Sequence, residues 1–112
     1  MPIISNNIKD VLVVLVELER ATVVDVDDFK IVMQAAIDSG NKKFIVDLSE
    51  CEFIDSTFLS ALVTILKKIT KEDGDLKLVG LKPPVKSMFE LTRLSQIFEI
   101  YGNGDEAVQS FN

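Results

Sequence analysis

The sequence predicts an α/β protein with a mostly parallel sheet. The β-branched and leucine-rich run Val11–Leu18 and the shorter run Lys43–Leu48 are nearly continuous apolar segments, which is typical of strands that are covered on both faces. A segment with helical periodicity follows each of them. Strands that alternate with helices at this spacing favour parallel pairing through right-handed crossovers.

The first predicted helix follows the acidic stretch Asp25–Asp28, and Gly40 ends it in the way that glycine commonly ends helices. Its spacing places five apolar side chains on one face, as expected for a helix that packs on a sheet. These residues are Phe29, Val32, Met33, Ala36 and Ile37.

The second predicted helix spans Ser56–Lys71, and its core stripe consists of Leu59, Leu62, Val63 and Leu66. Three further apolar residues lie beside that stripe, so the apolar face is wider than one packed side requires. Either a second layer of the fold buries them or they border a partner-binding patch. The three residues are Phe58, Ala61 and Ile65.

The remaining elements continue the alternation of strands and helices. Pro83 and Pro84 can begin a helix but cannot continue a central strand. The expected elements are a strand at 76–81, a helix at 85–94, a short strand at 97–100 and a last helical piece at 104–111.

Composition excludes several classes of function. The 112 residues suit one domain, and 18 acidic against 12 basic residues give a net charge of -6, which disfavours nucleic-acid binding. No apolar run approaches the roughly 18 residues of a membrane span, and residues 1–10 lack the pattern of a signal peptide, so we expect a cytoplasmic protein. The chain has no histidine and a single cysteine, Cys51, which excludes histidine-based catalytic triads and zinc sites.

The candidate site is the turn formed by Asp55, Ser56 and Thr57 before the second helix. If the first two predicted strands are parallel neighbours, this turn and the acidic stretch Asp25–Asp28 lie together at the carboxyl edge of the sheet, where ligands gather in α/β folds. A short oxygen-bearing side chain there can cap the helix. A hydroxyl at the same place can also carry a phosphate among the unpaired N–H groups of the first turn.

The acidic residues Asp25, Asp27 and Asp55 also suggest a Mg²⁺ site like that of phosphoacceptor receiver domains. Too few residues lie between Asp55 and Lys82 for the strand and helix that a receiver domain places there. We therefore expect no metal site, and we interpret the acids after the first strand as residues that favour a helix N-terminus. Cys51 is interpreted as a small buried side chain rather than a nucleophile.

The segment from Asn41 to Val108 resembles the STAS domain of bacterial anti-sigma factor antagonists. The resemblance rests on the order and spacing of a buried IVDLS strand, an aromatic and aliphatic pair before the D-S-T turn, an LKLVGL strand and the tail FELTRLSQIFEIY. It implies a single STAS domain over residues 1–112. It also implies a sheet of four to five strands, helices packed largely on one side, and a short extra edge strand from the N-terminal PIIS.

In that family, the serine directly after the motif's aspartate is phosphorylated by the anti-sigma factor, a serine kinase that binds the unphosphorylated antagonist. By position the resemblance implies Ser56 as the acceptor, with Thr57 as second choice, in a regulatory protein that is not an enzyme and needs no cofactor. The implied partner-binding residues are Asp55, Ser56, Thr57, Phe58, Ser60, Ala61, Thr22 and Asp25.

The chain departs from the family pattern in two places. The motif usually continues Gly-Leu-Gly, whereas Phe58 and Ser60 replace the two glycines here. The family sequence Gly-[Asp/Glu]-[Ile/Leu]-Asp after the first long strand is replaced by residues 19–22, so that Glu19 stands for the glycine and Thr22 for the last acid. Both changes fall on the expected phosphorylation face.

The sequence leaves three functions open. The first is an antagonist that binds a serine kinase and is released by phosphorylation at Ser56. The second is a scaffold or accessory subunit, for example of a transporter complex, that binds through Phe58 and its apolar neighbours. The third is a sensor with a small molecule at the carboxyl edge of the sheet.

Overall fold

A computed structural model describes residues 2–112, which form a five-stranded sheet, a separate two-stranded pair and four helices. The elements begin with a strand at residue 3 and end with a helix at residue 110. The strands are β1 (Ile3–Ile8), β2 (Val11–Val16), β3 (Arg20–Ala21), β4 (Lys43–Asp47), β5 (Phe53–Ile54), β6 (Asp75–Val79) and β7 (Glu99–Tyr101). The helices are α1 (Val26–Asp38), α2 (Ser56–Lys71), α3 (Pro83–Leu91) and α4 (Gly104–Ser110).

The main sheet has the strand order β1-β2-β4-β6-β7. Strand β1 pairs antiparallel with β2, and every other neighbouring pair in this sheet is parallel. The predicted mostly parallel sheet and the extra N-terminal edge strand are therefore confirmed. Strands β3 and β5 form a short parallel pair of their own, which was not predicted from the sequence.

Helices α1, α2 and α3 cover one face of the main sheet, and α4 packs on the other. Along β4, Phe44 and Val46 belong to the core beneath the first three helices, whereas Ile45 between them packs with Ala107 of α4. This alternation follows from the two-residue period of a strand. The prediction that the helices lie largely on one side is confirmed.

Lys77 connects the sheet to the C-terminal end of α4 through its side-chain contacts. It is a buried charged residue on β6, with 4% of its surface exposed. Its Nζ donates a hydrogen bond to Ser110 Oγ over 2.6 Å and lies 4.2 Å from the centre of the Phe111 ring. The Glu99 carboxylate, 3.8 Å from Nζ, supplies an opposite charge. The buried ammonium therefore has the partners that such a group requires.

The predicted bounds of α2 agree with the structure, and the other predicted elements agree to within a few residues. The core stripe of α2 is rotated from the expected one, because Val63 and Leu66 are only partly buried while Phe58, Ala61 and Ile65 are buried. No helix in residues 2–112 combines the length and the apolar character needed to cross a membrane.

Two glycines with positive φ test how much a tight backbone contact contributes to stability. Gly40 and Gly80 have φ values of 93° and 74°. A Cβ at Gly40 would meet nothing within 4 Å, whereas a Cβ at Gly80 would lie 2.8 Å from Ser49 Cβ. We expect Gly40→Ala to lower the free energy of unfolding by about 1 kcal/mol and Gly80→Ala by about 3 kcal/mol.

Urea denaturation of the two alanine variants measures this difference directly. Gly40→Ala is the matched control because it carries the same conformational strain without the contact. Equal losses in the two variants would show that the approach of Gly80 to Ser49 does not matter for stability.

Candidate functional site

Asp55 joins the start of α2 to the segment that follows β3. One carboxylate oxygen, Oδ1, accepts a hydrogen bond from the Phe58 N–H over 2.8 Å and so caps the helix. The other oxygen, Oδ2, accepts from the Val23 N–H over 2.9 Å. The β3–β5 pair makes this bridge possible, because Ala21 pairs with Ile54 and brings the next residues of both strands side by side.

The acidic segment after β3 folds into a short 3-10 turn at Val23–Asp25. Asp25 Oδ2 accepts a hydrogen bond from the backbone N–H of Thr22 over 3.0 Å, which closes the turn on itself. The structure thus brings Thr22, Asp25 and Asp55 together at the carboxyl end of the sheet. The sequence-based placement of both acidic segments at this edge is correct.

Ser56 and Thr57 occupy the first turn of α2, and both are exposed. Within residues 2–112, neither hydroxyl forms a hydrogen bond with another residue. Their backbone N–H groups precede the first intrahelical bond, where a helix presents free donors and the positive end of its dipole. Asp55 therefore performs the capping that the sequence assigned to the trio as a whole, and the Ser56 hydroxyl is left available for chemistry.

Phe58 and Ala61 do not lie on the surface. Phe58 is 0% exposed, Ala61 is 2% exposed, and the Phe58 ring centre lies 5.0 Å from that of Phe29 on α1. The hypothesis of a partner-binding patch centred on Phe58 is wrong in this respect, because α2 packs against α1 as well as against the sheet. The wide apolar stripe of α2 serves two packed sides. Phe58, at a position where the resemblance implies glycine, belongs to the interior.

Other side chains form the exposed surface around Ser56. Ser60, one turn further along α2, is exposed. Val23 and Val24 are 58% and 81% exposed, which is unusual for valine. This exposed pair was not predicted from the sequence. A signal was available, since the two valines stand immediately before the acidic stretch and outside the apolar stripe of α1.

We call the surface formed by Thr22, Val23, Val24, Ser56, Thr57 and Ser60 the serine face. The carboxylates of Asp25 and Asp55 stabilise this surface by accepting hydrogen bonds from the backbone N–H groups of Thr22 and Val23. The serine face combines two exposed hydroxyls at a helix N-terminus with a small apolar patch and adjacent carboxylates.

Two cationic side chains make contacts near the same end of the sheet, Lys82 after β6 and Arg20 in β3. Lys82 Nζ donates to Glu52 Oε1 over 2.8 Å, and this hydrogen bond raises the pKa of Lys82 above its usual value. The Arg20 guanidinium carbon lies 4.3 Å from the centre of the exposed Phe53 ring.

Across the part of the chain that the structure describes, no three acidic or cysteine side chains converge in a way that could hold a metal ion.

Cys51 lies under this region and is fully buried. Burial raises the pKa of its thiol to about 11, and the nearby carboxylates of Asp47 and Glu50 act in the same direction. The thiol is therefore neutral near pH 7 and a poor nucleophile. The interpretation of Cys51 as a small buried side chain is confirmed.

The fold and the family comparison together define the class of protein. The family model "STAS domain" matches residues 5–107, and a sheet with one antiparallel edge strand and helices largely on one face is the architecture of solved STAS-type structures. The chain therefore belongs to the STAS domain family.

Several relatives of the chain are named as anti-sigma factor antagonists. A candidate antagonist of Thermotoga maritima is 35% identical over 80 residues, which are 71% of this chain and 71% of the relative. A crystal structure of a candidate antagonist from the same organism matches with a TM-score of 0.88 at 28% identity, covering 96% of this chain and 92% of that one. The phosphorylated form of the Bacillus cell fate determinant SpoIIAA shares the fold, with a TM-score of 0.75 at 14% identity over 98% of this chain and 99% of that one.

Removing the Asp55 carboxylate tests the bridge between α2 and the Val23 turn. We expect Asp55→Ala to lower the free energy of unfolding by about 2 kcal/mol, because both the Phe58 and Val23 N–H groups lose their acceptor. Asp55→Asn, with one acceptor oxygen, should lose less. Urea denaturation provides the measurement, and the exposed carboxylate Glu90 provides the control through Glu90→Ala. Equal effects at positions 55 and 90 would contradict the bridge.

Truncation of Phe58 distinguishes an interior role from a surface role. We expect Phe58→Ala to lower the free energy of unfolding by about 4 kcal/mol, since it removes a fully buried ring from the contact with Phe29. Val24→Ala, at an exposed apolar position of the same region, should change it by less than about 0.5 kcal/mol. A Phe58→Ala protein as stable as the unmodified chain would contradict the observed burial.

Proposed function

We propose that this protein is an anti-sigma factor antagonist that binds an anti-sigma-factor serine kinase through the serine face and is released when Ser56 is phosphorylated. The observation that carries the proposal is the exposed Ser56 hydroxyl at the N-terminus of α2, directly after the capping residue Asp55. In the described part of the chain this hydroxyl makes no hydrogen bond. Membership of the STAS family and the names of the relatives support the same role. The protein acts in this role by binding and is itself not an enzyme.

The serine face can accept a phosphate without refolding. Because Asp55 already holds the Phe58 N–H, modification of Ser56 removes no capping bond. A phosphate at the first residue of the helix lies near the free N–H groups of the first turn, which favour negative charge there. Thr57 is also exposed and is the second choice of acceptor.

The same phosphate opposes partner binding. It adds about -1.5 to -2 charges at pH 7 to a surface that already contains Asp25 and Asp55. A partner that approaches this surface with carboxylates or apolar groups is repelled or must desolvate the new charge. Phosphorylation therefore weakens the complex while the fold of the antagonist stays intact.

The contact surface in this proposal is the serine face and excludes the Phe58 ring. Val23 and Val24 provide exposed apolar area beside the acceptor serine, and such area is typical of protein contact sites. Ser60 replaces a family glycine on the exposed side of α2, so it is the departure that a partner meets directly. Specificity for a particular kinase is therefore expected to depend on Ser60 and the two valines.

Incubation with the kinase and ATP, followed by mass spectrometry, tests the modification. We expect one phosphate on Ser56, and no phosphate on that peptide in Ser56→Ala. Modification on neither Ser56 nor Thr57 would refute the switch.

A binding assay with the kinase tests the effect of charge at Ser56. Ser56→Ala should keep the affinity of the unmodified chain, whereas Ser56→Asp should raise Kd by about tenfold or more.

A matched charge control accompanies the binding assay. Thr64 is exposed on α2 about two turns beyond Ser56, so Thr64→Asp adds the same charge outside the serine face. It should bind with nearly unchanged Kd. If Thr64→Asp and Ser56→Asp weaken binding equally, net charge rather than the serine face controls the interaction.

A further inference from the structure

The edge strand β1 has an unpaired side. Among residues 2–112, it is the outermost strand of the main sheet, and β2 is its one pairing partner. Five of its six residues are exposed. An edge of this kind presents a row of free N–H and C=O groups, and proteins usually protect it with charged residues, proline or a bulge. The segment IISNNI contains none of these devices.

The backbone hydrogen bonds show which residues face the open side. The Glu17 N–H donates to the Pro2 carbonyl over 2.7 Å, so residue 2 directs its polar groups toward β2. Successive residues of a strand alternate in this direction. Residues 4, 6 and 8 therefore also face β2, and Ile3, Ser5 and Asn7 direct their N–H and C=O groups outward.

The side chains of β1 alternate between the two faces of the sheet. Ile8 is paired with Val11, which packs with α4, so Ile4, Asn6 and Ile8 lie on the α4 face. Ser5 and Asn7 lie on the opposite face, beneath α1. Ile4 and Ile8 are 43% and 44% exposed, although both are large apolar residues.

We propose that β1 pairs antiparallel with β1 of a second copy of this chain, in the register centred on Asn6. A two-fold axis perpendicular to the sheet keeps each face continuous, so only residues of the same face can lie opposite each other. Centring on Asn6 places Ile4 opposite Ile8 of the second copy and Ser5 opposite Asn7. The outward-facing residues Ser5 and Asn7 then exchange backbone hydrogen bonds.

The register centred on Asn6 pairs side chains of like polarity, whereas the registers centred on Ser5 and Asn7 do not. Centring on Ser5 would oppose Ile4 to Asn6, and centring on Asn7 would oppose Ile8 to Asn6, so each leaves an isoleucine against an amide. The Asn6 register pairs apolar with apolar and polar with polar side chains. Ile4 and Ile8 also fall in the non-hydrogen-bonded pairs, where side chains approach most closely.

Charge does not oppose this pairing at the contact. No residue of β1 is charged, and in the Asn6 register Lys9 and Asp10 lie opposite Ile3 and Pro2 of the second copy. On the helix side, Ile31 lines a shallow groove with Ser5 and is 66% exposed. An apolar side chain thus flanks the pairing edge beneath α1 as well as on the α4 face.

The dimer would keep both serine faces open. The serine face lies at the carboxyl end of the parallel strands, and a two-fold axis perpendicular to the sheet turns that end of the second copy to the opposite side. The two faces therefore point in opposite directions, away from the β1 contact. One dimer can bind two partners, and self-association is independent of the state of Ser56.

Sedimentation velocity of the purified full chain at increasing concentration tests the association, without kinase or nucleotide. We expect the average mass to rise toward that of a dimer. Asn6→Lys should remain monomeric, because it opposes like charges at the two-fold axis. Thr64→Lys adds the same charge away from the edge and should associate as the unmodified chain does. If the unmodified chain stays monomeric at every concentration, the proposal is overturned. A strand of a different protein would then be the candidate partner of the β1 edge.

Disulfide trapping tests the register. Opposed residues in a non-hydrogen-bonded pair have Cα atoms about 4.5 Å apart, within the range that a disulfide spans. Asn6→Cys should therefore form a cross-linked dimer under mild oxidation. Ser5→Cys is the matched control, since its Cα would lie more than about 8 Å from its copy. Preferential cross-linking of Ser5→Cys, or equal cross-linking of both, would refute the Asn6 register.

Discussion

The carboxylate of Asp55 is the interaction on which the functional surface depends. It accepts from the Phe58 N–H at the start of α2 and from the Val23 N–H in the adjoining turn. Since both of its oxygens are used, the helix N-terminus and the turn are held in one arrangement. Together with the β3–β5 pairing, this bridge fixes the exposed valines relative to the exposed hydroxyls of the serine face.

This bridge also separates two tasks that a helix N-terminus can perform. Capping requires an acceptor for the first N–H groups, and phosphorylation requires a hydroxyl that is free and exposed. Asp55 performs the first task, so Ser56 is not needed for the stability of α2. In the proposed switch, a change of charge at Ser56 can therefore alter binding while the helix remains capped.

The packing of α2 shows where one-dimensional patterns mislead. Periodicity correctly indicated a broad apolar face, but its width has two explanations, a second packed neighbour or a contact surface. The structure decides for the neighbour, since Phe58 packs on Phe29 of α1. Phe58, which the sequence pattern left open as a surface residue, is therefore part of the interior packing.

The small β3–β5 pair illustrates the same limit. Two strands of two residues each leave no periodic signal, yet their pairing places Val23 beside Asp55. The exposed pair Val23 and Val24 was also missed, because valine is normally counted toward the core. Only the spatial neighbours of a residue show whether its side chain is covered.

The sequence by itself determined the alternation of strands and helices, the bounds of α2, the parallel core of the sheet and the position of the D-S-T turn. These features follow from local periodicity, from turn residues and from the spacing of apolar runs, and all of these are local properties of the sequence. Only the tertiary structure decided that Asp55 bridges two segments, that Phe58 is buried and that β1 lies at the edge of the main sheet. Each of these depends on contacts between residues far apart in sequence, and such contacts exist only after the chain has packed.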